Sequence, residues 1–360
     1  MANAPPSPDL PPPDEAGPPA WAPVASNALL FLLVAGLAAT IDLRTLRSRE
    51  RQVLRGIAIA MLCQFVILPF AGFAATRVFQ LERVYGVMLQ AVVSSPGGAY
   101  SNLWCSLGNA DLALSVTATA LSTILAAAFL PLNLFIYLHA SYGSSILEEL
   151  RWDLMLLTIG IVTVAVGVGL LFSWRLQRGS DRGRRQRAET IRWRCNLLGN
   201  VAGLALIAFS LVFSSSREPL WDKPPRVYAA TALPTLVAVV ATLALTSLPC
   251  ARLARPERVA ITIECLYQNT GLATSIALSI FDGAEAAKAV SAPLLYGFFQ
   301  TAAIPLLVLV WWKAGWTYAP PSEPLLRFLR DNYQDRAGRA GEAGAEPMSD
   351  DDMLGTAAIG

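Results

Sequence analysis

Val259–Ile280 reads VAITIECLYQNTGLATSIALSI. It is long enough to cross a bilayer, because a helix needs roughly 20 predominantly apolar residues to cover about 30 Å of hydrocarbon. Yet Glu264, Gln268, Asn269, Thr270 and Gly271 form a polar knot at its middle. A charge at the centre of a membrane helix costs about 2.5–3.5 kcal/mol on insertion scales, so its carrier usually faces a partner or a cavity rather than lipid. The plain alternative is a protonated Glu264 acting as packing glue. A second stretch weakens that alternative. Val84–Leu107 reads VYGVMLQAVVSSPGGAYSNLWCSL, with Pro96-Gly97-Gly98 at its middle and Ser101 and Asn102 just beyond. Proline removes a backbone donor and clashes with the preceding turn, and two glycines loosen the chain further, so this helix should break. Broken backbone at membrane depth is tolerated only where it is buried in protein or lines a cavity.

Outward from these two stretches, further apolar segments run over Ala25–Ile41, Ile57–Ala75, Leu112–Leu138, Leu154–Phe172, Cys195–Phe213, Val227–Leu248 and Ala289–Trp312. The expected fold is an all-α polytopic membrane protein of about nine transmembrane helices. Composition agrees: of 360 residues, 54% are hydrophobic and 15% charged, against about 25% charged in a typical soluble domain. The net charge of +2 argues against a nucleic-acid partner. Five cysteines without CxxC pairing, an odd number, read as buried thiols rather than a disulfide framework or metal cluster.

The sign of the loops sets an orientation. Arg44, Arg47, Arg49, Arg51 and Arg55 follow the first span, Arg175–Arg194 holds eight arginines between the fifth and sixth, and Arg252, Arg255 and Arg258 precede the eighth. The opposite loops are poorer in Arg and hold Glu148, Glu149, Glu218, Asp222, Asp282 and Glu285. The N-terminus is therefore expected outside and the C-terminus in the cytoplasm. The Arg-dense stretch divides the spans four and five, which suggests inverted repeats (4+5) with two broken crossing helices, the third span corresponding to the eighth. Residues 24–315 form the expected transporter domain. Residues 1–23, Pro-rich and without Lys or Arg, read as a disordered tail that fits neither a signal nor a transit peptide, and 316–360 as a disordered cytoplasmic tail.

The spans so drawn contain no Lys, Arg or Asp, and one Glu, Glu264. Ser115 and Thr119, i and i+4, put two hydroxyls on one helix face, with back-bonding to the i−4 carbonyl as the ordinary alternative. Gln64 could simply bond a neighbouring helix. One carboxylate, hydroxyls and amide and backbone carbonyls are the ligands that hard cations prefer. No nucleophile–base pair is present, and the one histidine, His139, falls in an expected outer loop. The set supports binding of Na⁺ or H⁺, calls for no cofactor, and gives no support to an enzyme.

SSPGGAYSNLWCSLGNADLALSVTATALSTILAAAFLPLNLFIY (Ser94–Tyr137), ECLYQNTGLATSIAL and LCQFVILPFAGF together resemble the bile acid:sodium symporter family, through its PGG…SN…LSV…ST segment, its E…QN crossover helix and its second conserved helix. The resemblance covers roughly residues 28–313. It implies two sodium sites beside crossing, broken helices: Ser101, Asn102, Ser115, Thr119 and Glu264 match the first, and Gln64, Glu264 and Gln268 the second, with backbone carbonyls near Cys265 and Tyr267. Asn102 and Asn269 would face the substrate, alongside Tyr100 and Tyr267. Where many members read PGGTASN this chain has Ala99 and Tyr100, and where they read EVGMQN or similar it has Cys265, Leu266 and Tyr267, so the pocket side is bulkier than the family pattern.

Two Na⁺ against one carboxylate leave the site near +1, which suits a monoanion. A sulfated or carboxylated amphipathic molecule such as a bile acid or steroid sulfate is the expected class. Proton-coupled transport on the same architecture, with Glu264 titrating, stays open, as does a receptor or scaffold that kept the fold. The expected surroundings are lipid and, by default, the plasma membrane. A homodimer also stays open.

Overall fold

The computed structural model describes residues 21–40, 51–98, 100–177, 182–215 and 219–334. Most of the expected N-terminal tail, the last 26 residues of the expected C-terminal one, and most of the first Arg-bearing loop lie outside these residues. Helix α1 is Ala22–Ala38. Helices α2 (Arg51–Leu62) and α3 (Leu68–Val78) are joined without a gap by a π turn, Cys63–Ile67. Then come α4 (Arg83–Val93), α5 (Ser101–Leu107), α6 (Leu112–Tyr142), the short α7 (Ser145–Glu149), α8 (Trp152–Gln177) and α9 (Arg182–Ser215). The chain closes with α10 (Pro225–Thr246), α11 (Arg255–Leu266), α12 (Thr270–Ile280), α13 (Gly283–Lys313) and α14 (Leu325–Arg330).

Among the described residues, six helices are long and apolar enough to cross a membrane, within Leu54–Val78, Leu112–Tyr142, Trp152–Gln177, Arg187–Val212, Pro225–Thr246 and Glu285–Lys313. Ala22–Ala38, Arg83–Val93 and Thr270–Ile280 are shorter apolar helices. Large apolar side chains such as Leu204, Val212, Leu236, Phe298 and Leu306 are exposed on the outside of the bundle. Many hydroxyls and several glycines are turned inward, as expected when the surrounding solvent is lipid. On α10 the buried face carries Thr231, Thr235, Thr242 and Thr246. Gly36 of α1 lies so close to α9 that a Cβ there would stand 2.6 Å from Cys195 O and 2.9 Å from Gly199 Cα, and one on Gly169 of α8 would stand 2.5 Å from Ala38 Cβ. Small residues thus let α1, α8 and α9 pack backbone to backbone.

Three sequence expectations are corrected here. The Arg-rich stretch before the sixth span is helix from Arg182 onward, and α9 runs 34 residues, about 51 Å at 1.5 Å per residue; arginine is a good helix former, and charge alone does not make a loop. Of the cysteines, Cys63, Cys105 and Cys265 are buried, but Cys195 is half-buried and Cys250 exposed. The third correction concerns the expected tail, which is folded as far as Gln334. Phe328 stacks on Trp312 with ring centroids 4.2 Å apart, and Trp312 Nε1 donates to Pro320 O at 2.8 Å. Asn109, held at φ 48 in the turn between α5 and α6, donates through Nδ2 to Phe328 O at 2.8 Å. Its Oδ1 accepts from Tyr333 N at 2.9 Å, and its carbonyl accepts from Tyr318 N. Phe328 is the side chain that LLRFLR buries, while Leu325, Leu326 and Leu329 stay exposed, and composition averaged over the whole tail conceals that one anchor.

Candidate functional site

Both expected breaks are present, and they meet. Residues 94–100 separate α4 from α5, and Tyr267–Asn269 separate α11 from α12. Gly97 and Gln268 form an isolated antiparallel β-bridge, in which Gly98 N donates to Tyr267 O at 2.6 Å and Asn269 N to Pro96 O at 3.0 Å. Each unwound segment thus satisfies backbone groups of the other where water is absent. The approach requires glycine. A Cβ on Gly97 would lie 2.0 Å from Glu264 Oε1 and 2.9 Å from Gln64 Nε2, and one on Gly98 would lie 2.6 Å from Tyr267 Cδ1. Neither has a positive φ, so space rather than backbone freedom is what these glycines supply. Asn269 caps α12 by accepting from Leu272 N at 3.0 Å.

Glu264, on the last full turn of α11, is completely buried. Its Oε2 accepts from Ser101 Oγ at 2.7 Å, Thr119 Oγ1 at 2.8 Å and Ser115 Oγ at 3.1 Å. Asn102 Oδ1 lies 3.0 Å from Ser115 Oγ and 3.4 Å from Thr119 Oγ1. The five residues expected together are therefore together, drawn from α5, α6 and α11. Thr119 Oγ1 is also 3.0 Å from Ser115 O, so its one proton is shared between back-bonding and the carboxylate.

The other side of Glu264 is built differently. The π turn carries Gln64, fully buried, with Nε2 donating to Glu264 O at 3.4 Å. Gln268 donates through Nε2 to Cys265 O at 2.6 Å. With their nitrogens so engaged, Gln64 Oε1, Gln268 Oε1 and Glu264 Oε1 are all buried without a hydrogen-bond partner. Buried acceptors left unpaired in a native protein call for an explanation, such as an ion. The two backbone carbonyls expected beside this set are already in use: Cys265 O accepts from Gln268 and Tyr267 O from Gly98.

The residues expected to face a substrate divide between two small cavities. Asn102 and Asn269 share one of about 40 Å³ with Gly97 and Thr119. Tyr100, Tyr267 and Asn269 line another of about 30 Å³ with Gly203 and Gly271. Each has room for about one water, so in this conformation the crossing is closed. Tyr100 does not project into open space. Its hydroxyl donates to Asn200 O of α9 at 3.1 Å, and its ring stands edge-on to Tyr267 at 6.3 Å. A larger cleft of about 790 Å³ lies between the first half of α1, the start of α8 and the end of α12, lined by apolar residues such as Val24, Phe31, Ile161 and Leu278. Arg151 and Asp282, 3.6 Å apart, are among its walls.

Two residues at the crossing escaped the sequence reading. Ser122 Oγ accepts from Gly97 N at 3.3 Å. Gln300 of α13 pairs with the backbone of Gln268 in both directions: Gln268 N donates to Gln300 Oε1 at 2.9 Å, and Gln300 Nε2 donates to Gln268 O at 3.2 Å. The signal for Gln300 was there, a lone amide in the apolar run LLYGFFQTAAIPLL.

The model of the sodium bile acid symporter family matches residues 27–215. The human sodium/bile acid cotransporter 4 is 27% identical over 299 residues, covering 83% of this chain and 66% of that protein. The mouse protein of the same name is matched over 63% of its length, so the chain spans a little under two thirds of these relatives. The human hepatic sodium/bile acid cotransporter is 24% identical over 290 residues, 79% of this chain and 78% of that one. The human sodium-dependent organic anion transporter is 28% identical over 159 residues, 44% of this chain and 41% of its own. The family match takes in more than half of the chain, including Gln64, the first break and the Ser115–Thr119 pair, and this integral membrane protein belongs to the sodium bile acid symporter family.

Proposed function

We propose that the chain is a sodium-coupled symporter of an amphipathic organic monoanion. The observation that carries this reading is the trio of buried, unpartnered oxygens, Gln64 Oε1, Glu264 Oε1 and Gln268 Oε1, around one carboxylate. A hard monovalent cation satisfies such oxygens as no apolar group can. A second Na⁺ would take the oxygens of Ser101, Asn102, Ser115, Thr119 and Glu264, displacing the hydroxyl protons that now point at the carboxylate. Two cations on one carboxylate leave about one positive charge for an anion, which Asn102 and Asn269 would receive along with the N-terminal end of α12.

The cleft between α1, α8 and α12 supports an amphipathic substrate. Its walls are mostly apolar, and Arg151 and the buried, unpartnered Asn27 Oδ1 offer polar contacts. The names of two relatives, cotransporters of bile acid and a transporter of organic anions, point the same way. The Arg distribution supports an N-terminus outside and a C-terminus in the cytoplasm, with the plasma membrane as the default location.

The test is uptake of a panel of bile acids and steroid sulfates with Na⁺ replaced by choline, for wild type and Glu264→Gln. The variant keeps shape but removes the charge that offsets Na⁺. Carrying two Na⁺ with one monoanion moves one net charge, to which 100 mV contributes about 2.3 kcal/mol. Na⁺-dependent current is expected in the wild type and none in the variant. Uptake indifferent to choline but driven by acid would instead favour proton coupling, and intact surface protein without uptake would favour a receptor.

A further inference from the structure

In an antiparallel bridge, successive residues offer their N–H and C=O groups to alternate sides. Tyr267 O and Asn269 N face the first unwound segment, while Tyr267 N stays bonded to Ile263 O of α11 and Asn269 O accepts from Ala273 N of α12. Gln268, between them, turns its own pair the opposite way. There Gln268 O accepts from Thr270 N at 2.9 Å, and a single side chain completes the pairing. The Gln300 carboxamide accepts from Gln268 N at 2.9 Å and donates to Gln268 O at 3.2 Å. Gln300 is fully buried and sits on α13, a continuous helix outside the crossing. The first unwound segment is tied on its far side to α6, through Gly97 N and Ser122 Oγ.

Resting on the reading of Gln64, Glu264 and Gln268 as Na⁺ ligands, we infer that Gln300 is a positioning residue for that ion. It clamps the Gln268 backbone from α13, and this sets where Gln268 Oε1 points. The Gln268 side chain is already anchored at its nitrogen to Cys265 O at 2.6 Å. The remaining freedom of its oxygen is therefore the rotation of the linker itself, which Gln300 limits together with Thr270 N and the bridge. Gln300 holds no ion directly, since both polar atoms of its carboxamide are taken up by Gln268. The carboxylate–hydroxyl set of Ser101, Ser115 and Thr119 receives nothing from it. Its influence is confined to one of the two cation positions.

Gln300→Met keeps length and packing and deletes both contacts. Losing two neutral hydrogen bonds that order a ligand is expected to raise half-saturating Na⁺ for uptake about tenfold, while half-saturating substrate at excess Na⁺ stays within about twofold. The Hill coefficient for Na⁺ should fall toward one. In purified protein, the rise of melting temperature on adding Na⁺ should shrink in the same variant. A residue serving only packing would lower surface quantity and maximal rate while leaving half-saturating Na⁺ in place, and that result overturns the assignment. If Gln300→Met does not reach the surface, Gln300→Leu, which is smaller and also lacks both polar atoms, must show the same shift. Unchanged Na⁺ dependence there also overturns it. A wild-type protein that neither needs Na⁺ for uptake nor is stabilised by it removes the symporter reading itself, an outcome distinct from an Na⁺-dependent wild type with an indifferent variant.

Discussion

Gly97→Ala adds one methyl at the most crowded point of the crossing. The new Cβ would stand 2.0 Å from Glu264 Oε1 and 2.8 Å from its Cδ, where ordinary contact begins at 3.4 Å. Relief needs a displacement of more than about 1 Å, and overpacking of this kind typically costs about 1–3 kcal/mol. The backbone conformation does not resist alanine, since φ is not positive, so the effect is steric alone. The yielding partner is Glu264 or the bridge. If Glu264 withdraws, its contacts to Ser101, Thr119 and Ser115 at 2.7–3.1 Å loosen. A hydrogen bond to a charged group is worth about 1.5–3 kcal/mol, so losing one corresponds to roughly 10- to 100-fold in affinity. The expected outcome is normal insertion and half-saturating Na⁺ raised at least tenfold, by uptake against Na⁺ concentration with surface labelling as the denominator. Gly160→Ala on α8, with nothing within 4 Å of its Cβ, is the matched control and should behave as wild type. Wild-type Na⁺ dependence in Gly97→Ala would refute the reasoning, because the carboxylate would then have moved without consequence to the ion.

Three more perturbations separate parts of the picture. Truncation after Gln334 should leave the melting temperature in detergent unchanged, whereas truncation after Ala319 strips Phe328 from Trp312 and leaves the Asn109 side chain without its two partners, a loss of about 2–4 kcal/mol that equal melting temperatures would contradict. Tyr100→Ala removes the ring that fills the space beside Gly203 and the bond to Asn200 O; bulkier anions should be accepted with half-saturating Na⁺ unaltered, and an unchanged uptake profile would count against this. With the exposed Cys250 replaced by Ser, a cysteine at Asp222 should react with an impermeant reagent in intact cells and one at Arg187 should not; the opposite pattern would reverse the proposed orientation.

The two breaks were legible because their chemistry is local. Pro96-Gly97-Gly98 cannot continue a helix, and Glu264 with Gln268 and Asn269 cannot face lipid. Their neighbours Ser115 and Thr119 followed from i, i+4 spacing. What local chemistry alone did not reach depends on register or distance. Gln64 was assigned to a sodium site only through the family resemblance, because it lies within a π turn, whose extra residue changes the direction of side chains in a way no apolar period announces. Gln300 meets Gln268 across 32 positions, and nothing in its own segment marks the partner. The resemblance put Tyr100 on the substrate side, but its ring fills room that Gly203 of a distant helix supplies. The folded strap beyond Trp312 is recognised only once Asn109, far upstream, is known to hold it.

The bridge between the unwound segments also bears on how the protein is made. Helices α4 and α12 have 11 residues each, about 17 Å at 1.5 Å per residue, little more than half a hydrocarbon thickness. Neither is long enough to settle across a bilayer by itself, and the groups left bare at Pro96 and Gly98 are satisfied by Asn269 and Tyr267. Those partners are made about 170 residues later, which at 5–20 residues per second is roughly 10 to 30 s of synthesis. Throughout that interval the first half of the protein sits in or beside the translocation machinery with exposed backbone amides in an apolar medium. The crossing is consequently among the last parts of the chain to become stable, and a nascent chain stalled before Tyr267 is left with an unpaired first break, a form suited to recognition by membrane quality control.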